Sequence, residues 1–297
     1  AYWIEFYRSN DGGITMDSAK SAQAEYFDLT VADNSGSFTT HDGRVHSDKW
    51  AFSAATISSS AEPVLYAYTT DKVTIKVDFE VGFKPIGYIV AVNSYGVSTS
   101  GTFDVTRRSV TSAATPALTN GYKVFLNVPD PSIYPPGTIP ANPTFLSPAL
   151  TGCGPYLIHF NFSEIGDAKI TFDLNGVAGF QQNTSDRIIE AYDLPAGDNT
   201  IAWDGKDGLG VVVNDGTNII LQAAFLKGRY NLPIGDAEIN SGGFRVSTTA
   251  PVTIASTQMF WDDTKLTNIG SACVVGGSDN ASNQTGIGIN NTFIGTA

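Results

Sequence analysis

Apolar and polar residues alternate along most of the first half of the chain. A period of two residues is typical of half-buried β-strands, and turn signals separate the alternating runs. Residues 14–27 are the exception, because they predict a two-turn helix with Asp17 or Ser18 as its N-cap. Several short strands at near-regular spacing predict a β-sandwich over residues 1–128. The strand-like runs include "YWIEFY", "YFDLTVA", "DKVTIKVDFEVGF" and "GYIVAV".

Residues 129–150 interrupt this pattern. Half of the 14 prolines of the chain fall in "VPDPSIYPPGTIPANPTFLSPAL". Proline lacks the N–H that a β-ladder needs and favours extended polyproline geometry. The segment therefore predicts either a semi-rigid linker or an edge segment laid along a sheet.

The alternation resumes after the prolines, which predicts a second, immunoglobulin-like sandwich over residues 151–266. Residues 267–297 are rich in glycine and asparagine and are interpreted as a tail or the start of a next module. The predicted fold class is all-β, with two β-sandwich domains of immunoglobulin-like or jelly-roll-like type joined by a Pro-rich linker. The strand-like runs of the second half are "PYLIHFNFS", "DAKITFDLNG", "RIIEAYDL", "NTIAWDG", "NIILQAAFL" and "GGFRVST".

Composition narrows the range of partners. Of the 297 residues 15% are charged, and the formal net charge is −12. Such a chain repels phosphate backbones and anionic membrane surfaces, so we expect no nucleic acid partner. No run approaches 18 apolar residues, so we expect no direct insertion into a membrane. The acidic surplus is spread along the chain and is best explained by solubility.

The two cysteines, Cys153 and Cys273, permit one internal pairing. With the hydroxyl-rich composition they predict a disulfide formed in an oxidising compartment. Closing so long a loop would stabilise the fold by about 4–5 kcal/mol in the chain-entropy model. The alternative is two free buried thiols.

The stretch "IAWDGKDGLG", residues 201–210, concentrates acidic and glycine residues behind a tryptophan. An EF-hand loop needs a ligand at its third position, which is a lysine or a leucine in the two available registers. A looser calcium site remains open, and its candidate ligands are Asp204, Asp207 and Asp215.

The other interpretation of residues 201–210 is a structural turn. Trp203 would anchor the turn on the core, and the aspartates would bond its backbone. The glycines would supply turn conformations closed to other residues. These glycines are Gly205, Gly208 and Gly210.

Catalytic signatures are weak, and no catalytic residue or further cofactor is predicted. No G-x-S-x-G motif occurs, and the three histidines, His41, His46 and His159, do not match a zinc spacing. Asp262 and Asp263 adjoin a tryptophan, but neighbours in a strand point to opposite faces. We therefore do not expect an enzyme. The other acidic pair near apolar residues is Asp236 and Glu238.

Aromatic residues of the first half offer a function of another class. Alternation predicts that most of them are core, but an exposed set could bind sugar faces. A carbohydrate-binding module is therefore the alternative function. The residues are Tyr2, Trp3, Phe6, Tyr7, Tyr26, Phe27, Trp50 and Phe52.

An ordered series of motifs carries a family resemblance. "NTIAWDGKDGLGVVVNDGTNIILQAAF" resembles the immunoglobulin-like module of hook-capping proteins. With "YWIEFY", "GGITMDSAKSAQAEYFDLTVA", "GRVHSDKWAFS", "LPIGDAEINSGGF" and "MFWDDTKL", the chain resembles large cell-surface adhesins of Bacteroidetes. These are adhesins of the gliding-motility type, exported by the type IX secretion system. The resemblance covers about residues 1–265.

The resemblance implies a non-catalytic structural or adhesive module of an extracellular surface protein or filament. It implies other modules of the same protein or filament as partners, with surface polysaccharide as a further candidate, and O-glycosylation at Ser18 in "MDSAK". Two features depart from the family. Leu232 stands where relatives carry histidine, and the C-terminal sorting domain is absent, which a fragment of a much longer chain would explain.

Overall fold

The computed structural model describes residues 7–8, 11–12, 14–15, 17–21, 30–34, 36–52, 62–84, 88–101, 106, 121–181, 183–235, 239–240 and 244–254. Within these residues every named element is a β-strand, which confirms the predicted all-β class. No helix in the described part of the chain is both long and apolar enough to cross a membrane.

Eleven strands precede the Pro-rich segment. They are β1 (Tyr7–Arg8), β2 (Asp17–Ser21), β3 (Val31–Ala32), β4 (Thr40–His41), β5 (His46–Ser47), β6 (Lys49–Phe52), β7 (Val64–Tyr68), β8 (Thr74–Phe79), β9 (Phe83–Lys84), β10 (Tyr88–Ala91) and β11 (Lys123–Phe125). Strand β2 pairs with β1, so the helix predicted at residues 14–27 is wrong at this point. Helical propensity is a weak prior that strand pairing overrides.

Nine further strands follow. They are β12 (Thr144–Thr151), β13 (Tyr156–Phe162), β14 (Gly166–Asp173), β15 (Arg187–Leu194), β16 (Gly197–Trp203), β17 (Ile220–Leu226), β18 (Ile234–Gly235), β19 (Ile239–Asn240) and β20 (Phe244–Ala250).

The first hydrophobic core lies among sheets built mainly from the first half of the chain. One sheet has the strand order β20-β8-β7-β11-β5 and another β18-β10-β6. Strand β8 buries alternate side chains because its two faces differ. We call this cluster core 1; its largest fully buried members are Phe79, Phe83, Phe244, Leu65 and Ile75.

A second core lies between two sheets of three strands, with the orders β12-β13-β16 and β15-β14-β17. The buried residues of β13 and β14 alternate with more exposed ones, as the predicted period of two requires. We call this cluster core 2; its buried members are Ile158, Phe160, Phe162, Ala168, Ile170, Phe172 and Trp203.

The chain returns to the first sheets after core 2. Strand β18 pairs with β10, and β20 runs along β8 from Phe244 opposite Phe79 to Ala250 opposite Thr74. Phe244 and Val246 are members of core 1. Through this pairing the predicted second domain, residues 151–266, contributes its last strands to the sheets of the first half of the chain. Alternation identifies a strand but not its partner.

The Pro-rich segment is partly strand and partly docked chain. Residues 144–151 form β12, an edge strand whose pairing with β13 shifts register between Phe145 and Leu150. Proline is tolerated at an edge because no outer neighbour needs its N–H. Upstream, the Tyr134 ring lies 4.9 Å from that of Phe125, and the Tyr68 hydroxyl donates to Pro135 O at 2.6 Å. Of the two interpretations, the edge segment therefore describes residues 144–151.

Candidate functional site

Trp203 anchors the turn that follows β16. Its side chain is 2% exposed, and its ring lies 4.7 Å from that of Phe172 and 5.2 Å from that of Tyr156. Its indole Nε1 donates to Lys206 O at 2.8 Å, so burial leaves no polar atom of the ring unbonded. This residue joins the turn to core 2.

Two aspartates hold the backbone of the same turn. Asp204 Oδ1 accepts from Lys206 N at 3.1 Å and from Arg187 Nη1 at 2.6 Å. Asp207 Oδ1 accepts from Leu209 N at 3.0 Å and from Val211 N at 2.8 Å. Such bonds are how an aspartate stabilises a turn.

The three glycines of the turn serve two different purposes. Gly205 and Gly210 have φ angles of 76° and 80°, which side chains rarely adopt. Gly208 does not have a positive φ, so its predicted role is corrected. A Cβ on Gly208 would lie 2.0 Å from Asp186 O and 2.8 Å from Thr184 O. Gly208 is needed because the neighbouring loop passes against it.

That neighbouring loop is organised by Asp186, which sequence reasoning missed. The residue is 3% exposed. Its Oδ1 accepts from Leu174 N at 2.9 Å and Asn175 N at 3.2 Å, and its Oδ2 from Gln181 N at 2.9 Å and Asn175 Nδ2 at 3.1 Å. A buried carboxylate with four donors is a structural hub. Its only sequence signal was a polar run directly before a strand.

The candidate calcium ligands do not form a metal-binding group. In the part of the chain that the structure describes, no cluster of three or more His, Cys, Asp or Glu side chains could hold an ion. Asp204 and Asp207 point their Oδ1 atoms at the donors given above, and Asp215 is exposed on the following turn.

The histidines occupy structural positions. His159 lies between the hydroxyls of Thr151 and Thr200, at 2.8 Å and 3.1 Å. His41 lies 3.4 Å from Asp33, and the His46 ring lies 5.2 Å from that of Phe125.

Several candidates from the sequence lie outside the described residues. They are Cys273, Asp236, Glu238, Asp262, Asp263, Tyr2, Trp3, Phe6, Tyr26 and Phe27. Cys153 is exposed before β13, and the backbone of Ser18 lies in β2. Trp50 packs against core 1 and donates its Nε1 to Val124 O at 2.9 Å, so its ring is partly buried rather than offered to a ligand.

A further set of polar contacts lies where the chain passes between the cores. We call this region the junction: the connecting segments 135–143 and 227–229, with the side chains that bind them. Arg229 Nη1 lies 3.5 Å from Asp167 Oδ2, and its Nη2 donates to Asp193 Oδ1 at 2.9 Å. Its guanidinium also lies 5.1 Å from the centre of the Tyr192 ring, a cation–π distance.

Electrostatics at the junction reflect its burial. Burial raises the pKa of the Asp167 carboxyl, against the opposing effects of the Asp193 N–H and Arg229. Burial likewise raises the pKa of Tyr122 to about 12, so this hydroxyl stays protonated and donates to Arg229 O at 2.7 Å. Tyr122 belongs to core 1, whereas Asp167 belongs to a strand of core 2.

Both connecting segments are tied to their surroundings. Gly228 N donates to Asp71 Oδ2 at 2.9 Å, and Gly137 N donates to Lys72 O at 2.9 Å. Lys227 Nζ reaches Glu164 Oε1 at 2.9 Å and Thr138 O at 3.2 Å, so it links the two segments. Periodicity could not indicate this set, because its members are distant in sequence.

Comparison with protein-family models, with curated proteins and with solved structures finds no match.

Proposed function

We propose that this chain is a non-catalytic structural module of an extracellular bacterial surface adhesin or filament. In this proposal the two cores are two β-sandwich domains, and its partners are other modules of the same protein or filament. The module would hold a fixed shape between its neighbours rather than act on a substrate.

The junction is the observation that supports this proposal most. Two connecting segments, rather than one, pass between the cores, and each is hydrogen-bonded on its way. The Arg229 side chain binds carboxylates on β14 and at the end of β15, while its backbone carbonyl accepts from Tyr122. Relative domain motion is the default for a single exposed linker. A doubly connected and partly buried junction restricts that motion.

The polar network around residues 201–210 adds a second argument of the same kind. The carboxylates of Asp186, Asp204 and Asp207 accept hydrogen bonds from the backbone of the turns and from Arg187. Groups with these partners hold loops in place and leave few acceptors for a substrate.

Stiffness is the property to measure first. Donor and acceptor fluorophores placed on an exposed position of each core would report the distance between them and its spread. A structural module predicts one narrow distance distribution that does not change with ionic strength near physiological values. A broad distribution would contradict the proposal.

Location is a separate test. Antibodies raised against this chain should label intact cells of the producing bacterium, with no increase after permeabilisation. Labelling that appears only after permeabilisation would contradict an extracellular role.

The alternative of a carbohydrate-binding module predicts a specific sugar on a glycan array at micromolar affinity. A sugar-binding platform needs several exposed aromatic side chains side by side. Of the described aromatics, Trp50 packs against core 1, whereas Phe38 is 66% exposed. Specific binding would favour this alternative over the purely structural role.

A further inference from the structure

The edge of β17 has the properties of a strand acceptor. Strand β17 is the outer strand of the order β15-β14-β17, and within the described chain it pairs with β14 alone. An edge strand presents alternate N–H and C=O groups to its open side. Its sequence, "ILQAAFL", contains neither a charged residue nor a proline.

The other described edge strands of four or more residues are protected. Each remaining edge strand of four or more residues in the described ranges, namely β2, β6, β12, β15, β16 and β20, carries a charged residue or a proline. Charges and prolines are the means by which proteins block unwanted pairing at an edge. Strand β17 lacks both, which distinguishes it from these six strands.

A cleft of about 490 Å³ lies beside β17. It touches four consecutive residues of β17, Leu221 to Ala224, and consecutive residues of a strand point to opposite faces. Lys169 and Thr171 of β14 also line the cleft opposite Ala224 and Gln222, so it covers one face of the sheet at β17 and extends to its edge. Phe145 of β12, the edge strand of the opposing sheet, also lines it, and Lys169 is its one charged lining residue.

We propose that the edge of β17 accepts an added antiparallel or parallel β-strand and that the occupant is residues 285–293 of the same chain. This segment reads "TGIGINNTF", and residues 280–297 contain no charged side chain. Its apolar residues Ile287, Ile289 and Phe293 are separated by two and four positions, so in an extended strand they share one face with Asn291. Strand addition uses main-chain hydrogen bonds for affinity and alternate side chains for fit.

The same chain is favoured over a second copy because the described chain ends, at Ile254, close to the end of β17. Ile254 bonds Thr248 of β20, and β20 ends opposite Thr74. A Cβ on Gly228 would lie 2.8 Å from the neighbouring Val73, and β17 ends two residues before Gly228. A random coil of about 30 residues from Ile254 spans roughly 30 Å. Tethering then gives an effective concentration of the order of millimolar.

Hydrogen exchange tests the proposal in the full chain. The backbone amides of residues 220–226 that point away from β14 should exchange at least about tenfold more slowly in the full chain than in a variant that lacks residues 281–297. Amides of β14, the central strand of the same sheet, should exchange equally in both and serve as the internal control. Equal exchange of β17 in the two proteins would overturn the proposal.

A matched pair of variants tests the register of the added strand without touching the described fold. Ile287→Ser with Ile289→Ser should remove the protection of β17, because it deletes two of the three apolar side chains on that face. Asn290→Ser with Thr292→Ser alters the opposite face and should retain it. Loss of protection in both or in neither would count against the assignment, and so would protection seen only in a dimer by light scattering.

Discussion

Arg229 holds its Nη1 atom 3.5 Å from Oδ2 of Asp167, a side chain that is 10% exposed. This pair belongs to the junction between the cores. Replacing Arg229 by glutamine would leave the Asp167 carboxylate in a buried setting without its cation. We expect the free energy of unfolding to fall by roughly 2–3 kcal/mol, as measured by urea denaturation.

The matched control for this change is Lys76→Gln. Lys76 pairs with Asp78 on the same strand, and both side chains are about a third exposed. Exposed pairs contribute less than about 1 kcal/mol. Equal losses in the free energy of unfolding for the two variants would show that the junction pair stabilises the fold no more than an exposed pair does.

Trp203 fills core 2 and bonds the turn at once, so its loss should be severe. Trp203→Ala should cost about 3–5 kcal/mol in the free energy of unfolding. Leu209 lies on the same turn but is 62% exposed, and Leu209→Ala should change stability by less than about 0.5 kcal/mol. Thermal and chemical denaturation of both variants would check the contrast.

Gly208 allows close approach of two loops. An added Cβ would meet backbone oxygens on residues 184 and 186, which cannot rotate away, so Gly208→Ala should destabilise by at least about 2 kcal/mol. Gly216 has a φ of 83° and nothing within 4 Å of a built Cβ, so Gly216→Ala should cost about 1 kcal/mol. A reversed order of the two losses would refute the packing argument.

Acid should weaken the contact between residues 44 and 130. Hydrogen bonds from Ser132 and from Arg44 lower the pKa of Asp130 to about 2. A depressed carboxyl pKa stabilises the fold above the unfolded pKa near 3.8, and this contribution is lost as the pH falls toward 2. Stability measured between pH 6 and 2 should therefore decline less steeply in Asp130→Asn than in the parent protein.

Calcium should have little effect on stability. The carboxylates of Asp204 and Asp207 already accept hydrogen bonds in the turn, and the described chain offers no ligand cluster. We expect the same melting temperature in excess calcium and in excess chelator. A ligand bound only by the folded state must raise that temperature, so a clear rise would reinstate the calcium site.

The sequence predicted which residues form strands better than it predicted which strands pair with each other. Alternation located β13, β14 and β16 well, because each has one buried and one exposed face. It misassigned residues 17–21, where helix-favouring residues pair as a strand. The alternation could not predict that β20 pairs with β8, because a period of two describes a single strand and not its neighbour.

The site divides in the same way. Trp203 and the aspartates of its turn could be identified because turn chemistry is local. Asp186 and Arg229 could not, because their partners come from other strands and loops. Burial of a charged group is decided by the whole fold, so a single sequence does not mark it.

The return of the chain to core 1 has a consequence for the order of folding. Phe244 pairs with Phe79 only after every residue of core 2 has been made, so the first sheets remain incomplete while core 2 can close from one continuous segment. Closure of core 2 then shortens the loop that β20 must span and lowers the entropic cost of its docking. We therefore expect core 2 to close before the sheets of core 1 are complete.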